Sequence, residues 1–150
     1  MSYNVTISRN NISSKDEKAW IELDNLLERE DLTSKQGQDF LNLIEKLKSK
    51  FPCICDLADD KVDDGVWSDG PLSNNAGKDL TTLGVVFSQV ETVIPFLINT
   101  ANENGFIVFD PQTGIISRPK KKSLIMNLEK EEIKSVKKGL KLFWKKLFGN

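Results

Sequence analysis

Six aspartates fall within fourteen positions: Asp56, Asp59, Asp60, Asp63, Asp64 and Asp69. Carboxylates at that density are the raw material of hard-cation sites and of paired acid and base catalysts. The spacing does not complete a calcium loop. With Gly65 set at the glycine of an EF-hand, Asp60 and Asp64 reach ligand positions, but Val62 stands where a side-chain oxygen is needed and Pro71 where the bidentate glutamate belongs. Three readings remain: a solvated acidic face, a protein-binding face, or a metal or catalytic site. Trp67 sits among these carboxylates in V-D-D-G-V-W-S-D-G-P-L-S-N-N, a stretch too polar for a core strand and too rich in breakers for a helix. An aromatic residue there either plugs a long loop into the core or anchors a partner inside a charged rim. The candidate partner-binding residues are therefore Asp59, Asp60, Asp63, Asp64, Trp67 and Asp69.

Other chemistries fall by exclusion. The chain has no histidine, which removes serine-histidine-aspartate and cysteine-histidine catalysis, histidine-ligated zinc and the commonest general base near neutral pH. Gly65, Gly70 and Gly77 fit neither a dinucleotide nor a phosphate-cradling spacing. Cys53 and Cys55 have no further cysteine to complete a tetrahedral metal site, and they are expected as reduced thiols buried in a strand or turn. No catalytic, cofactor or metal set is assigned.

The elements that must position the loop follow from periodicity. Tyr3, Val5 and Ile7 alternate with polar residues, as a strand over Tyr3–Arg9 requires. Ser13 or Ser14 offers a cap to a helix with the stripe Trp20, Leu23, Leu26 and Leu27, running to about Glu30. Ser34 offers a cap to a second, with Phe40, Leu43, Ile44 and Leu47, which Pro52 ends. After the aspartate loop, D-L-T-T-L-G-V-V-F-S reads as a strand, and Ser88-x-x-Glu91 as a capping box opening a helix with the stripe Val90, Val93, Ile94, Leu97, Ile98 and Ala101. Pro95 interrupts that stripe and Gly105 suits its C-terminus. F-I-V-F-D and I-I-S-R-P are two short strands joined by a turn around Pro111 and Gly114, with Asp110, Pro111 and Gln112 in the turn. The order strand, helix pair, strand, helix, strand, strand predicts an α+β domain over residues 1–119, with a mixed four-stranded sheet and its helices packed on one face.

Net charge is close to zero, but it is not evenly spread. Residues 120–150 carry ten lysines against three glutamates, net +7; of the chain's 21 basic and 22 acidic residues this leaves 11 and 19 for residues 1–119, net −8. Residues 120–150 read as a basic linker and a C-terminal amphipathic helix, capped by Asn127. Its apolar stripe is Ile133, Val136, Leu140, Phe143, Trp144, Leu147 and Phe148, beside Lys137, Lys138, Lys141, Lys145 and Lys146. Such a stripe can pack on the domain, lie on an anionic membrane surface through Ile133 to Phe148, or pair with another chain. Direct nucleic-acid binding is not expected, because the acidic body repels phosphates. The first residues lack a signal-peptide pattern and no apolar run reaches about 18 residues, so a cytoplasmic protein is expected.

The runs F-P-C-I-C-D-L-A-D-D-K-V-D-D-G-V-W-S-D-G-P-L, V-V-F-S-Q-V-E-T-V-I-P-F and A-N-E-N-G-F-I-V-F-D-P-Q-T-G-I-I-S-R-P resemble a widespread family of small, uncharacterised bacterial cytosolic proteins. That family carries W-x-D-G-P-L and F-D-P-Q motifs after an N-terminal strand and helix. The resemblance covers residues 1–119, with Phe51 and Pro52 standing where the family has tryptophan and proline. It is similar in turn to the immunity proteins that accompany polymorphic and contact-dependent growth-inhibition toxins. The resemblance implies a non-catalytic interaction protein that binds and neutralises a cognate toxin domain. The alternative from another class is a small carboxylate-dependent hydrolase or metal-binding enzyme using the aspartate-rich loop.

Overall fold

The computed structural model describes residues 2–30 and 35–120. The chain divides into two units, Met1–Pro119 and Lys120–Asn150. The amphipathic helix expected after residue 127 lies outside the described residues, as does the Ser34 cap.

The first unit is α+β. Its strands are β1 (Ser2–Arg9), β2 (Leu80–Val86), β3 (Phe106–Asp110) and β4 (Ile115–Ser117), and its helices are α1 (Asp16–Arg29), α2 (Gln38–Lys50) and α3 (Val90–Glu103). The sheet order is β2-β1-β3-β4. All three pairings are antiparallel, with Val5 opposite Leu83, Ile7 opposite Val108 and Phe109 opposite Ile116. This corrects the mixed sheet expected from the sequence. The crossover through α3 does leave β2 and β3 running in the same direction, as such a connection requires. β1 lies between them and takes both ladders, so no parallel pair forms.

The helices also do not share one face. Alternation along the strands sends Val5, Ile7, Leu83, Val85, Phe106 and Val108 to one side, where they meet Phe40, Leu43, Ile44 and Leu47 of α2 and Val93, Leu97 and Ala101 of α3. On the other side, Leu80, Ile107 and Phe109 meet Ala19 and Leu23 of α1, with Trp20 edge-on to Phe109 at 5.3 Å. The sequence signal for this second layer is F-I-V-F in β3. Consecutive apolar residues bury a strand on both faces, whereas alternation buries it on one. Arg9, at the end of β1, ties the first layer to its helix: it forms a bidentate pair with Asp39 at 2.7 and 3.0 Å, lies over the Phe40 ring at 4.6 Å and donates to the Lys78 carbonyl.

Turn chemistry is where local sequence signals held and caps are where they failed. Gly105 (φ +84°) follows α3 and Gly114 (φ +72°) closes the β3–β4 turn, its N–H donating to the Asp110 carbonyl at 2.9 Å. Ser13 is not the cap of α1, which Lys15 precedes; its hydroxyl accepts the Lys15 amide at 3.2 Å one step earlier. The Ser88-Glu91 capping box does not form. Ser88 is taken up in a 3-10 turn, Phe87–Gln89, and the cap residue Gln89 makes no side-chain bond.

Candidate functional site

The aspartate loop begins where α2 ends and rejoins the sheet along the outer edge of β2. Two backbone bonds fix it there, Val86 N to Val66 O and Ser68 N to Gly84 O, both 2.9 Å, with Trp67 bridging to Val85. An extended segment sends neighbouring side chains to opposite faces. Trp67 therefore enters the core sealed by α2 and α3, where it is 2 % exposed and its indole Nε1 donates to the Phe51 carbonyl at 2.7 Å. Ser68 goes to the other face, above Gly84. The absence of a side chain at Gly84 is required: a Cβ there would lie 2.1 Å from Ser68 Oγ and 2.7 Å from Asn4 Oδ1. The Gly70–Pro71 peptide is cis, and Leu72 returns fully buried to the core that holds Trp67. W-S-D-G-P-L is thus two core anchors holding an exposed Ser68–Pro71 between them.

On the second face α1 covers Leu80, Ile107 and Phe109, and Asn4, Thr82 and Gly84 are left as the floor of a cleft of about 930 Å³. Its walls are Ile54 and Val62 from the loop and Val86 from β2. Among the described residues, the charged side chains lining it are two carboxylates, Asp63 and Asp69, with no lysine or arginine. The floor is polar and internally bonded, with Thr6 and Thr82 hydroxyls 2.9 Å apart and Ser2 Oγ donating to Asn4 Oδ1 at 3.0 Å. Asn75 Nδ2 steadies the Asp69 carboxylate at 3.3 and 3.5 Å.

Asp59, Asp60, Asp63 and Asp64 share one 3-10 turn, Asp59–Asp64, and all are exposed. Only Asp63 of these four lines the cleft, joined by Asp69; Asp59, Asp60 and Asp64 stand outside it. Trp67 also lines the cleft, but with its side chain only 2 % exposed and its indole bonded to the Phe51 carbonyl it chiefly holds the loop in place. Among the described residues, no group of three or more Cys, Asp or Glu side chains is arranged to hold a metal ion. Asp56 is engaged elsewhere. It lies 3.4 Å from Lys48 Nζ, and although burial pulls the Lys48 ammonium down, the Asp56 bond and charge together with Glu45 outweigh it and hold the group above its ordinary range. Cys53 is buried as expected, while Cys55 is exposed, because the 3-10 turn Ile54–Asp56 carries it outward. Sequence reasoning missed Asn4, Thr82 and the apolar walls. Asn4 and Thr82 belong to the polar half of alternating strands and so read as plain solvent-facing positions.

F-D-P-Q is a turn device. Asp110 Oδ1 accepts the amides of Gln112 (3.0 Å) and Thr113 (3.4 Å), and Oδ2 accepts the Tyr3 hydroxyl at 2.5 Å. With its amide assigned to match its neighbours, Gln112 donates to the Asn4 carbonyl at 2.9 Å and accepts the Asn4 N–H at 3.2 Å, standing in for a strand residue beside β1. Burial, followed by the Asp110 hydrogen bond and charge, pushes the Tyr3 phenol up to about 12.

No family model matches the chain, and neither a curated protein nor a solved structure matches it.

Proposed function

We propose that this domain is a non-catalytic binding protein of the bacterial cytoplasm that presents the Asp59–Asp69 loop and its cleft to a basic protein domain, as an immunity protein does to its toxin. The observation that carries the reading is the lining of the cleft among the described residues: apolar walls from Ile54, Val62 and Val86, two carboxylates and no cation. A lysine or arginine side chain matches that lining, since its stem lies along apolar surface while its head seeks a carboxylate. Asp59, Asp60 and Asp64 extend the negative field beyond the cleft, where they steer a basic partner and speed encounter. Toxins that attack nucleic acids carry positive surfaces to hold phosphate, so an acidic inhibitor occupies the same field. The resemblance of the W-S-D-G-P-L and F-D-P-Q runs to immunity-associated proteins supports the same reading.

The test is co-purification with the C-terminal domain of a secreted protein encoded beside this chain, with neutralisation scored on co-expression. A stoichiometric complex is expected, with Asp63→Asn, Asp69→Asn slowing association about three- to tenfold at low salt and flattening its salt dependence. A domain that neither binds nor is neutralised sinks the proposal; binding indifferent to salt and to both substitutions moves the interface off this loop. For the carboxylate-enzyme alternative, magnesium, calcium or manganese is expected to leave the melting temperature unchanged. A saturable rise that Asp63→Asn, Asp64→Asn abolishes would put that alternative first.

A further inference from the structure

Ile54, one wall of the cleft, is flanked by the two cysteines of the chain. Cys53 is buried and Cys55 exposed, yet both sulfurs converge on Gly70: a Cβ placed there would lie 2.9 Å from Cys53 Sγ and 3.2 Å from Cys55 Sγ. Laid end to end, those distances put an upper bound of about 6 Å on the sulfur separation, which rotation of both side chains about Cα–Cβ can close to bonding range. The backbone also fits. Ile54 is helical, and helical geometry sets Cα atoms two residues apart at about 5.4 Å, inside the roughly 4.4–6.8 Å that a disulfide spans.

We infer that Cys53 and Cys55 form a dithiol site, which a low-molecular-weight disulfide closes into an intramolecular Cys53–Cys55 bond. Cys55, the exposed thiol, is the attacking group. Its sulfur attacks one sulfur of the reagent, forming a mixed disulfide and releasing the first small thiol. Cys53, held beside it under the Gly70 turn, then attacks the Cys55 sulfur and releases the second. Two electrons and two protons pass from the protein to the reagent, whose own S–S bond is the one broken. Closure ties both ends of Ile54 and so reshapes the cleft wall; this coupling rests on the binding reading, whereas the thiol chemistry does not.

Partial desolvation of its sulfur pushes the Cys55 thiol up, as do its hydrogen bond and charge interaction with Cys53 and the negative charge of Asp56, with Lys48 pulling the other way. The attacking thiolate is therefore scarce at neutral pH, and closure speeds up by about tenfold per pH unit until the thiol titrates.

The experiment treats the reduced full chain with glutathione disulfide at about pH 7 and about pH 9 and follows intact mass. The expected product is a monomer lighter by about 2 Da, restored by a reductant, with peptide mapping placing the bond between Cys53 and Cys55. Cys55→Ser is expected to be inert, and Cys53→Ala to stop at the mixed disulfide; the mapping on the unaltered chain stands whether or not Cys53→Ala folds. Covalent dimers, a persistent mixed disulfide on the unaltered chain, or an unreacted pair at the higher pH would each overturn the site. Amide hydrogen exchange then reads the coupling. Changed protection across residues 54–69 with β3 unaltered is the expected result, and an unchanged loop removes the link to the cleft while leaving the dithiol.

Discussion

On the face under α2 and α3, Val5, Ile7, Leu83, Val85 and Leu97 have no exposed surface. On the opposite face the same strands run from the apolar patch beneath α1 into the polar floor of the cleft, where Asn4 is exposed and Thr82 half-buried. One sheet thus carries a sealed layer that supplies stability and an open half-layer that floors the cleft. The loop belongs to both. Trp67 and Leu72 enter the sealed core, while Ser68 and Asp69, one and two residues after Trp67, face the cleft. The difference teaches that the consequence of a substitution in this loop is set by which layer its side chain enters, more than by its distance along the chain.

The largest effect should come from the sealed side. Trp67→Ala removes a fully packed indole and its bond to the Phe51 carbonyl, and truncating a buried aromatic costs about 3–5 kcal/mol. Denaturant unfolding checks this, and a loss below about 1 kcal/mol would show that something other than Trp67 pins the loop. Next in size is Gly84→Ala, at about 1–3 kcal/mol, from the clash with Ser68 Oγ. Ser68 Cβ is 3.5 Å from the added methyl, an ordinary contact. Adding Ser68→Ala should therefore recover at least half of the loss. Failure to recover would mean that the Asn4 contact, not the edge segment, sets the limit.

How much of this was legible beforehand depends on the range of the forces involved. The strands, the stripes of α2 and α3 and the turn at Asp110 and Gly114 follow from local periodicity and turn chemistry, and the structure holds them where the pattern puts them. The sheet's pairing did not follow, because a crossover fixes the direction of two strands without saying whether a third lies between them. The second layer was written in F-I-V-F, but its partner stripe on α1 is narrow, with only Ala19 and Leu23 buried in that helix. As for the site, the loop and its carboxylates were visible as composition. The cleft was not, since its floor comes from Asn4 and Thr82, distant in sequence and unremarkable in type. Trp67 carried both readings in the sequence, and only the backbone bonds that pair Val66 and Ser68 with β2 decide which way it points.

A smaller effect sharpens the comparison at the far end of β1. Tyr3→Phe deletes the hydrogen bond to the buried Asp110 carboxylate, a loss of about 1 kcal/mol at neutral pH. In the folded chain the phenol is raised from 10.0 to about 12, so its contribution is whole below pH 10 and is lost as pH rises through about 12. Unfolding measured from pH 7 to 11 should therefore show the two proteins separated at low pH and converging above pH 10. A separation independent of pH would assign the loss to packing against Phe87, whose ring lies 6.1 Å from that of Tyr3.

The smallest effect on stability should come from the carboxylates that matter most to the proposed contact. Asp63 and Asp69 are exposed; among the described residues, the only hydrogen bonds to either are the long ones from Asn75 to Asp69, at 3.3 and 3.5 Å. Asp63→Asn, Asp69→Asn keeps shape and volume while removing two like charges from one cleft. Surface changes of this kind stay within about 0.5 kcal/mol. If two negative groups repel across the cleft, the substituted domain gains slightly at low salt, and the gain vanishes as salt screens it. Unfolding at about 20 mM and about 500 mM salt, where the screening length falls severalfold, reads that sign. A stabilisation that disappears at high salt would mark the cleft as a place where like charge is held against the preference of the isolated fold, as expected of a surface shaped for a cationic partner. A destabilisation of more than about 1 kcal/mol at both salts would instead make the two aspartates structural, and the sealed and open layers would no longer differ in the way the geometry implies.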